Sequence, residues 1–318
     1  MAANNANPNE IHLIREYDAP VQAVWDAWTD PAQVAQWWGP RGFSITTHHK
    51  DLRVGGTWNY TMHGPDGTDY PNTTLYHEVV PNAKLVYDHG GYEDRPPLFR
   101  VTVTFTEKNG KTTLDMRMAH ETPEAAEESR KIIKMASGNS TWDRLAEYLD
   151  KTRAGKETFV IARAFETSIE TMYDLWADPE HVARWLPPTG FTMEYIRADI
   201  RPGGRSFYKM TDGNVTMYGS IEYREMRRPD RIEYTQQFRD AEERISRHPM
   251  APTWPESMHT LVTFVAEAAN RTRVTVTWTP EGAVSAEELA AFVNMRAGMT
   301  QGWTGSFDKL EAYVARGQ

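Results

Sequence analysis

The sequence predicts an α+β protein made of two tandem copies of one domain, and three observations carry this prediction. The chain has 318 residues, more than the roughly 250–300 at which a single hydrophobic core stops growing. When the sequence is shifted by 148 positions, residues 15–62 lie over 163–210 without a gap, and 17 of these 48 positions are identical. Both copies also show the same order of strand-like and helix-like patterns. We therefore expect domains at 10–152 and 157–316.

The repeat keeps one register over a long distance. Its identical pairs include Asp26/Asp174, Trp28/Trp176, Asp30/Asp178, Pro31/Pro179, Trp37/Trp185, Gly42/Gly190, Phe43/Phe191, Gly55/Gly203 and Gly56/Gly204. With one residue deleted, residues 76–87 lie over 223–234, and the match closes with 142–145 over 307–310. A period this long indicates duplication of a whole domain rather than a solenoid.

Each copy opens with a short strand and two helices. Alternating residues predict the strands, and three- to four-residue spacing of apolar residues predicts the first helices. The expected strands are 11–17 and 159–165, and the expected helices are 21–28 and 169–176. Asp30-Pro31 and Asp178-Pro179 predict the start of a second helix, with aspartate as N-cap and proline at the first helical position.

Several antiparallel strands follow in each copy, separated by turn residues. Asn109-Gly110 predicts a tight hairpin, because both residues adopt the positive φ angles that such a turn needs. We interpret residues 51–56, which end in Gly55-Gly56, as a strand with a bend, since glycine accompanies strong curvature. Asp51 and Arg53 are expected to form a surface ion pair, as are Asp199 and Arg201.

A long helix closes each copy. The pattern predicts helices at about 123–151 and 285–315, the second of which begins with a capping box formed by Ser285 and Glu288. Gly298, Gly302 and Gly305 lie inside this helix at a cost of about 1 kcal/mol each relative to alanine. Two interpretations stay open: the glycines leave room beneath the helix, or they permit close packing on the sheet.

These residues carry a resemblance to a known superfamily. The motifs are Trp28-Thr-Asp-Pro31 leading to Trp37, its copy from Trp176 to Trp185, the pair 51–56 and 199–204, and the closing Gly302-Trp303 segment. They resemble the START/Bet v 1-like (SRPBCC) superfamily and, within it, the family named for the activator of the heat-shock-protein-90 ATPase. The resemblance implies two helix-grip domains, each a curved antiparallel sheet wrapped around a long C-terminal helix with a cavity between them. Repeat one departs from the pattern at Ser137-Gly138, which replaces Gly302-Trp303.

Composition excludes several classes of function. The formal net charge is −9 and no long basic run exists, which argues against a nucleic-acid partner. The absence of cysteine excludes disulfides and thiolate chemistry. No apolar run approaches the roughly 18 residues of a membrane span, and the N-terminus lacks a signal-peptide pattern. We expect a cytoplasmic location.

The sequence favours a non-enzymatic protein without metal or cofactor. The adjacent His48 and His49 point to opposite faces of a strand and cannot grip one ion. No nucleophile elbow or phosphate loop is present. A cyclase- or hydrolase-type enzyme is the alternative, and its acid–base candidates are His77, His89 and Glu78.

The abundant aromatic residues lead us to expect a binder of a small apolar or aromatic molecule, acting as a carrier, a sequestering protein or a resistance protein. Aromatic side chains offer a large apolar surface with a polar tip, which suits an internal cavity. For each aromatic residue taken singly, plain core packing is the alternative. The expected ligand-binding residues are Trp37, Phe43, Trp58, Tyr60, Tyr76, Asn139, Trp142, Trp185, Phe191, Tyr208, Met299 and Trp303.

A co-chaperone-like activator of an ATPase is a further alternative that the family resemblance raises. Repeat two contains an extra loop at about 239–256, whose Trp254 could dock a partner protein. The charged residues of the loop fit a solvated lid better. We also expect the two domains to pack on each other.

Overall fold

The chain folds into two compact units. A computed structural model describes residues 7–92, 95–135, 140–154, 157–248 and 251–317. The units are Met1–Asp150, called domain 1 here, and Lys151–Gln318, called domain 2. Each is built around one antiparallel sheet of seven strands, which confirms the predicted α+β class and the tandem arrangement.

Domain 1 follows the predicted order of elements. They are β1 (Glu10–Tyr17), α1 (Val21–Thr29), α2 (Pro31–Val34), β2 (Ser44–Lys50), β3 (Thr57–His63), β4 (Asp69–Val80), β5 (Lys84–Gly91), β6 (Phe99–Lys108), β7 (Lys111–Ala119), α3 (Pro123–Met135) and α4 (Ser140–Ala154). The strand order across the sheet is β1-β7-β6-β5-β4-β3-β2. The first strand therefore pairs with the last, and α1 and α2 form the crossover to the opposite edge.

Domain 2 repeats this arrangement. Its elements are β8 (Phe159–Phe165), α5 (Ile169–Ala177), α6 (Pro179–Trp185), β9 (Thr192–Arg197), β10 (Arg205–Thr211), β11 (Thr216–Arg227), β12 (Arg231–Arg239), β13 (Ser257–Ala268), β14 (Arg271–Glu281), α7 (Ala286–Asn294) and α8 (Arg296–Ala315). The order β8-β14-β13-β12-β11-β10-β9 matches that of domain 1 strand for strand. Buried residues of the sheet share one hydrophobic core with α5, α6 and α8, as a helix-grip fold requires.

Local sequence signals place the crossover helices. The Asp30 carboxylate accepts hydrogen bonds from the backbone N–H groups of Ala32 and Gln33, both at 2.9 Å, and Pro31 occupies the first helical position. The Trp37 indole then donates to the carbonyl of Ala27 at 2.9 Å, which ties the end of the crossover back onto α1. The predicted aspartate caps are confirmed in both domains.

The tight turn between β6 and β7 also follows from its sequence. Asn109 and Gly110 have φ angles of 54° and 76°, and Lys108 pairs directly with Lys111. The predicted hairpin is confirmed.

Residues 51–56 were expected to be a bent strand, and this was wrong. They form a turn between β2 and β3. Gly55 has a φ of 77°, which side-chain-bearing residues rarely adopt, and a Cβ on Gly56 would lie 2.2 Å from the Asp51 carbonyl oxygen. The glycines therefore serve a tight backbone turn rather than a bend within the sheet. The flanking ion pair of Asp51 with Arg53 is present at 2.7 Å, as predicted.

The closing helix of domain 2 differs from the one uninterrupted segment that was predicted. In domain 2 the capping box of Ser285 and Glu288 starts α7 as predicted, but Met295 leaves helical geometry with a ψ of 3° and α8 starts afresh at Arg296. In domain 1 the structure gives α3 and α4, and residues 136–139 between them lie outside the described residues. Within the described chain, no helix is both long and apolar enough to span a bilayer.

Candidate functional site

Domain 2 contains a cavity of about 300 Å³ between its sheet and α8. Strands β10, β11, β12 and β14 form one wall, and α8 forms the other. The lining residues are Leu186, Pro188, Tyr208, Met210, Met217, Tyr218, Ile221, Tyr234, Gln236, Phe238, His248, Trp254, Trp278, Met295, Gly298, Met299, Gly302, Trp303 and Ser306. The volume lies at the lower end of the range for sites that bind small molecules, roughly 300–1,000 Å³.

Two of the helix glycines create room at this wall. A Cβ built on Gly298 or Gly302 would meet no atom within 4 Å, and both residues line the cavity. Gly305 behaves differently, because a Cβ there would lie 2.8 Å from the Thr189 Oγ1 atom. The two open interpretations thus apply to different glycines: Gly298 and Gly302 leave space, whereas Gly305 permits close packing.

The loop from 239 to 256 supplies part of the cavity lining. Trp254 is only 6% exposed, and its ring lies 5.6 Å from that of Phe292 in α7. Arg247 holds this part of the loop in place by donating to the Trp254 carbonyl at 2.8 Å and to the Glu288 carboxylate at 2.5 Å. The indole that was considered as a docking group is therefore turned inward.

The charged residues of this loop lie at its surface, as expected for a solvated segment. Arg244 pairs with Asp240 at 2.7 Å and with Glu242 at 2.8 Å, and the Arg244 side chain is largely exposed. The loop thus combines an outer charged face with the inward Trp254.

The cavity wall is uncharged. No aspartate, glutamate, lysine or arginine is among the lining residues that the structure describes. Burial lowers the pKa of His248, so that this imidazole is neutral at neutral pH. Burial, followed by the neighbouring Tyr223 phenol, raises the pKa of Tyr208 to about 12, which keeps its hydroxyl protonated. The polar tips facing the cavity are thus neutral donors and acceptors.

Two indole N–H groups at the cavity donate no hydrogen bond to the described residues. The N–H groups of Trp278 and Trp303 are buried, and neither has an acceptor within the described part of the chain. Their rings meet edge to face with centroids 5.6 Å apart. Buried N–H groups without an acceptor are rare in folded proteins, and an acceptor from outside the chain, such as water or a ligand, can satisfy them.

Domain 1 has a smaller cavity, of about 130 Å³, in the corresponding place. It is lined by Trp38, Gly39, Pro40, Met62, Tyr87, His89, Phe99, Val101, Met116, Met118, Thr141 and Trp142. Trp142 stacks on Trp28, and Trp38 meets Trp142 edge to face at 6.3 Å. Indole rings thus occupy much of this interior.

The repeat register explains the difference in volume. Trp38 corresponds to Leu186, and Trp58 corresponds to Ser206. In domain 1 the two indoles pack against each other with centroids 5.2 Å apart, and both are buried. Domain 2 carries a smaller residue at each position, and Leu186 borders the larger cavity.

The acid–base candidates of the enzyme alternative are separated by the fold. His77 lies on the outer face of the sheet, where its Nε2 atom pairs with Asp88 at 2.7 Å, and Glu78 pairs there with Lys84. Only His89 lines the cavity of domain 1. Burial, with Arg95 nearby, lowers the pKa of His89 to about 4.

Four of the predicted ligand contacts border a cavity. They are Trp142 in domain 1 and Tyr208, Met299 and Trp303 in domain 2. Asn139 lies outside the described residues. The remaining seven, Trp37, Phe43, Trp58, Tyr60, Tyr76, Trp185 and Phe191, do not border either cavity.

Those seven lie in the cores or near the surface. Trp37 and Trp185 are fully buried and donate to the backbone of the preceding helix. Trp58 stacks on Tyr60 at 4.2 Å, and the Tyr60 hydroxyl accepts a hydrogen bond from the Trp38 indole. Tyr76 packs beside Tyr87, whereas Phe43 and Phe191 are half-buried in loops. Core packing, the alternative for each aromatic residue, describes most of this set.

Sequence reasoning missed several lining residues. Gln236, Trp278 and four methionines, Met210, Met217, Met295 and Met299, surround the larger cavity, and only Met299 was among the expected contacts. The signal that was present is the repeat itself: an alignment of the two copies places Leu186 opposite Trp38. Among the described residues, no group of three or more His, Cys, Asp or Glu could hold a metal ion.

Comparison with known proteins gives one family match. Residues 18–150 and 166–315 each match the family model described as "Activator of Hsp90 ATPase homolog 1-like protein". No curated protein matches the chain.

Solved structures give further similarities. A protein from Nitrosomonas europaea is 24% identical, with a TM-score of 0.42, and the alignment covers 46% of this chain and 98% of that one. A protein from Mycobacterium smegmatis is 23% identical, with a TM-score of 0.42, and covers 50% of this chain and 91% of that one. The di-domain ARO/CYC protein BexL of the BE-7585A biosynthetic pathway is 13% identical, with a TM-score of 0.39, and the alignment covers 95% of this chain and 97% of that one.

Proposed function

The chain belongs to the family of Activator of Hsp90 ATPase homolog 1-like proteins, as two tandem copies of its domain, and from this starting point we propose that domain 2 binds a small hydrophobic molecule in its internal cavity. The protein acts in this proposal as a carrier or sequestering protein. The single observation that carries it is the cavity of about 300 Å³, lined by aromatic residues and methionine.

The character of the wall supports a hydrophobic ligand. Burying apolar surface contributes about 25 cal/mol per Å², so a molecule that fills such a cavity gains affinity without charged contacts. The methionines Met210, Met217, Met295 and Met299 add adaptability, because their flexible thioethers adjust to ligands of different shape.

The asymmetry of the two domains supports placing the ligand in domain 2. Trp38 and Trp58 occupy positions in domain 1 where domain 2 has Leu186 and Ser206. The cavity that remains in domain 1 is less than half as large, at about 130 Å³. In this proposal domain 1 contributes structure rather than the principal binding site.

Binding rather than catalysis is favoured by the placement of titratable groups. As far as the structure describes it, the wall of the domain 2 cavity contains no carboxylate or cationic side chain. His89 in domain 1, with a pKa of about 4, is a weak base at neutral pH, whereas general acid–base catalysis works best with a pKa near the operating pH.

A co-chaperone role has less support from the 239–256 loop. Its Trp254 packs in the core of domain 2, and its charged residues form ion pairs, Arg244 within the loop and Glu243 with Arg197 of β9. The loop thus lacks the exposed aromatic anchor typical of the centre of a protein interface.

The proposal is tested with N-phenyl-1-naphthylamine, an uncharged dye whose fluorescence increases in apolar surroundings. Titration of the full chain is expected to show saturable binding to one site. The variant Leu186→Trp, which introduces the residue that domain 1 carries at this position, is expected to weaken binding at least about tenfold while circular dichroism shows an unchanged fold. A matched control is Leu149→Met in domain 1, a buried residue that is not among the residues lining the domain 2 cavity. Absence of saturable binding, or equal binding by Leu186→Trp, would refute the proposal.

A further inference from the structure

The geometry points to a ligand for domain 2 that is uncharged and carries a hydroxyl or carbonyl group, which Tyr208 and Gln236 recognise together. This inference rests on the proposed function and specifies the chemistry of the molecule that the cavity takes. It follows from the charges, the hydrogen bonds and the positions of these two residues.

The first step is the exclusion of ionic ligands. A charged group taken from water into an apolar site needs a partner of opposite charge, and without one its burial is strongly unfavourable. Among the described residues, the wall of the cavity contains no such partner, and burial keeps His248 neutral. Fatty acids, phosphates and ammonium compounds are therefore poor ligands for this site.

The second step is the hydroxyl of Tyr208. This residue on β10 pairs with Gly219 on β11, and a Cβ on that glycine would lie 2.4 Å from the tyrosine hydroxyl oxygen. The absence of a side chain at Gly219 thus allows the tyrosine ring to extend across the sheet. Burial and the Tyr223 phenol account for its raised pKa, and no hydrogen bond within the described part of the chain contributes. Its proton is available to a ligand.

The surrounding tyrosines differ in this respect. Tyr223 is also buried, but hydrogen bonds with the side chains of Ser206 and Tyr195 oppose the rise of its pKa. In domain 1, Tyr60 stands at the position of Tyr208, and its hydroxyl accepts from the Trp38 indole at 3.2 Å. The replacement of Trp38 by Leu186 removes that donor in domain 2, so the change that enlarges the cavity also frees the hydroxyl.

The third step is the amide of Gln236. It lies on β12, next to Ile221 of β11 in the strand register, and it borders the cavity together with Tyr208. The same two residues also line a side pocket of about 30 Å³, which places them on one part of the wall. The Glu256 carboxylate that borders this side pocket pairs with Arg247 at 3.7 Å. An amide offers a donor and an acceptor, and a neutral phenol offers both as well. A ligand hydroxyl or carbonyl can therefore be bonded by both residues.

The indole N–H groups of Trp278 and Trp303 strengthen the preference for an acceptor oxygen. They border the same cavity and lack acceptors within the described residues. The flat rings of these tryptophans also favour a planar partner, since aromatic rings attract each other beyond the gain from buried area alone.

Charge selectivity is tested by comparing two dyes with one skeleton. N-phenyl-1-naphthylamine is neutral, and 8-anilinonaphthalene-1-sulfonate adds a sulfonate. The full chain is expected to bind the sulfonate at least about a hundredfold more weakly at the site that Leu186→Trp blocks. Equal affinity of the two dyes at that site would overturn the inference.

Recognition of the oxygen is tested by competition against the neutral dye. We expect 2-naphthol to bind more tightly than 2-methylnaphthalene, in which a methyl group replaces the hydroxyl. Tyr208→Phe and Gln236→Leu should each weaken the binding of 2-naphthol by about three- to tenfold without weakening that of 2-methylnaphthalene. Tyr60→Phe in domain 1 serves as the matched control and should change neither affinity.

The outcomes separate this inference from the proposed function. If the wild-type chain does not bind the neutral dye, both the proposed function and this inference are refuted. Binding of the neutral dye with no preference for 2-naphthol, or with a preference that survives in Tyr208→Phe and in Gln236→Leu, would refute only the recognition described here.

Discussion

The indole of Trp303 stacks on the indole of Trp176, with ring centroids 6.0 Å apart and ring planes 12° from parallel. Domain 1 has the same kind of pair in Trp142 and Trp28, at 5.4 Å and 20°. The sequence register, however, places Trp142 opposite Phe307 rather than opposite Trp303. The two closing helices therefore stack an indole on equivalent partners, Trp28 and Trp176, from positions that are one helical turn apart.

This stack predicts a large contribution of Trp303 to the stability of domain 2. Trp303 is 6% exposed, and its ring centroid lies 5.4 Å from that of Phe307. Trp303→Ala is expected to lower the free energy of unfolding of domain 2 by about 3–5 kcal/mol, because it leaves a void that the neighbours fill only in part. Urea denaturation followed by fluorescence measures this. A loss below about 1 kcal/mol would show that the stack is not part of the packed core.

Opening the interior of domain 1 should create a second binding site. Trp38 lines the smaller cavity and occupies the position of Leu186. For Trp38→Leu we expect the stoichiometry of N-phenyl-1-naphthylamine to rise from one to two molecules per chain. Trp25→Phe, a change at a buried indole that borders neither cavity, is the control and should keep a stoichiometry of one. A folded Trp38→Leu chain that still binds one molecule would contradict the explanation of the volume difference.

The glycines of α8 should respond differently to alanine. Gly298→Ala is expected to stabilise domain 2 by up to about 1 kcal/mol, because alanine is the better helix former and its Cβ meets no atom within 4 Å. Gly305→Ala should give no gain or a loss, since its Cβ would press on Thr189. Calorimetric melting of the two variants side by side decides the matter, and an equal shift in both would speak against the difference in packing.

His89 should make domain 1 sensitive to acid. Its pKa in the fold is about 4, below the ordinary value of 6.5, so the unfolded chain takes up a proton that the folded chain does not. Stability is therefore full above about pH 6.5 and falls as the pH drops towards 4. Replacing His89 with glutamine, the residue at the corresponding position 236, removes this component. Between pH 7 and pH 5 the variant should lose about 1–2 kcal/mol less than the wild type in urea denaturation, and parallel losses would contradict the assignment.

The sequence predicted the parts of the fold that depend on neighbours in the chain. The Asp30 cap, the Asn109-Gly110 hairpin and the Ser285 capping box each need only a few consecutive residues, and each is present. Residues 51–56 were misassigned because paired glycines accompany both bent strands and tight turns. The backbone approach of Asp51 to Gly56, which distinguishes the two, arises only after folding.

The site was harder to predict because the volume of a cavity is the small difference between the space that the fold encloses and the space that its side chains fill. Trp185 and Tyr208 are both aromatic residues of the second copy, yet Trp185 is buried in the core and Tyr208 faces the cavity. The burial of Trp254 was also hard to predict. The residues around it in the loop are charged, and the ring that it packs against, that of Phe292, lies 38 positions further along the chain. The comparison of Trp38 with Leu186 was available in the sequence, but its meaning depends on which residues face the helix.

The unequal cavities also set how each domain responds to hydrostatic pressure. Pressure favours the state of smaller total volume, and unfolding removes internal voids. With a cavity of about 300 Å³ against one of about 130 Å³, domain 2 is expected to lose its structure at lower pressure than domain 1. A molecule lodged in the larger cavity replaces empty volume with matter and brings the two halves closer in their resistance to compression.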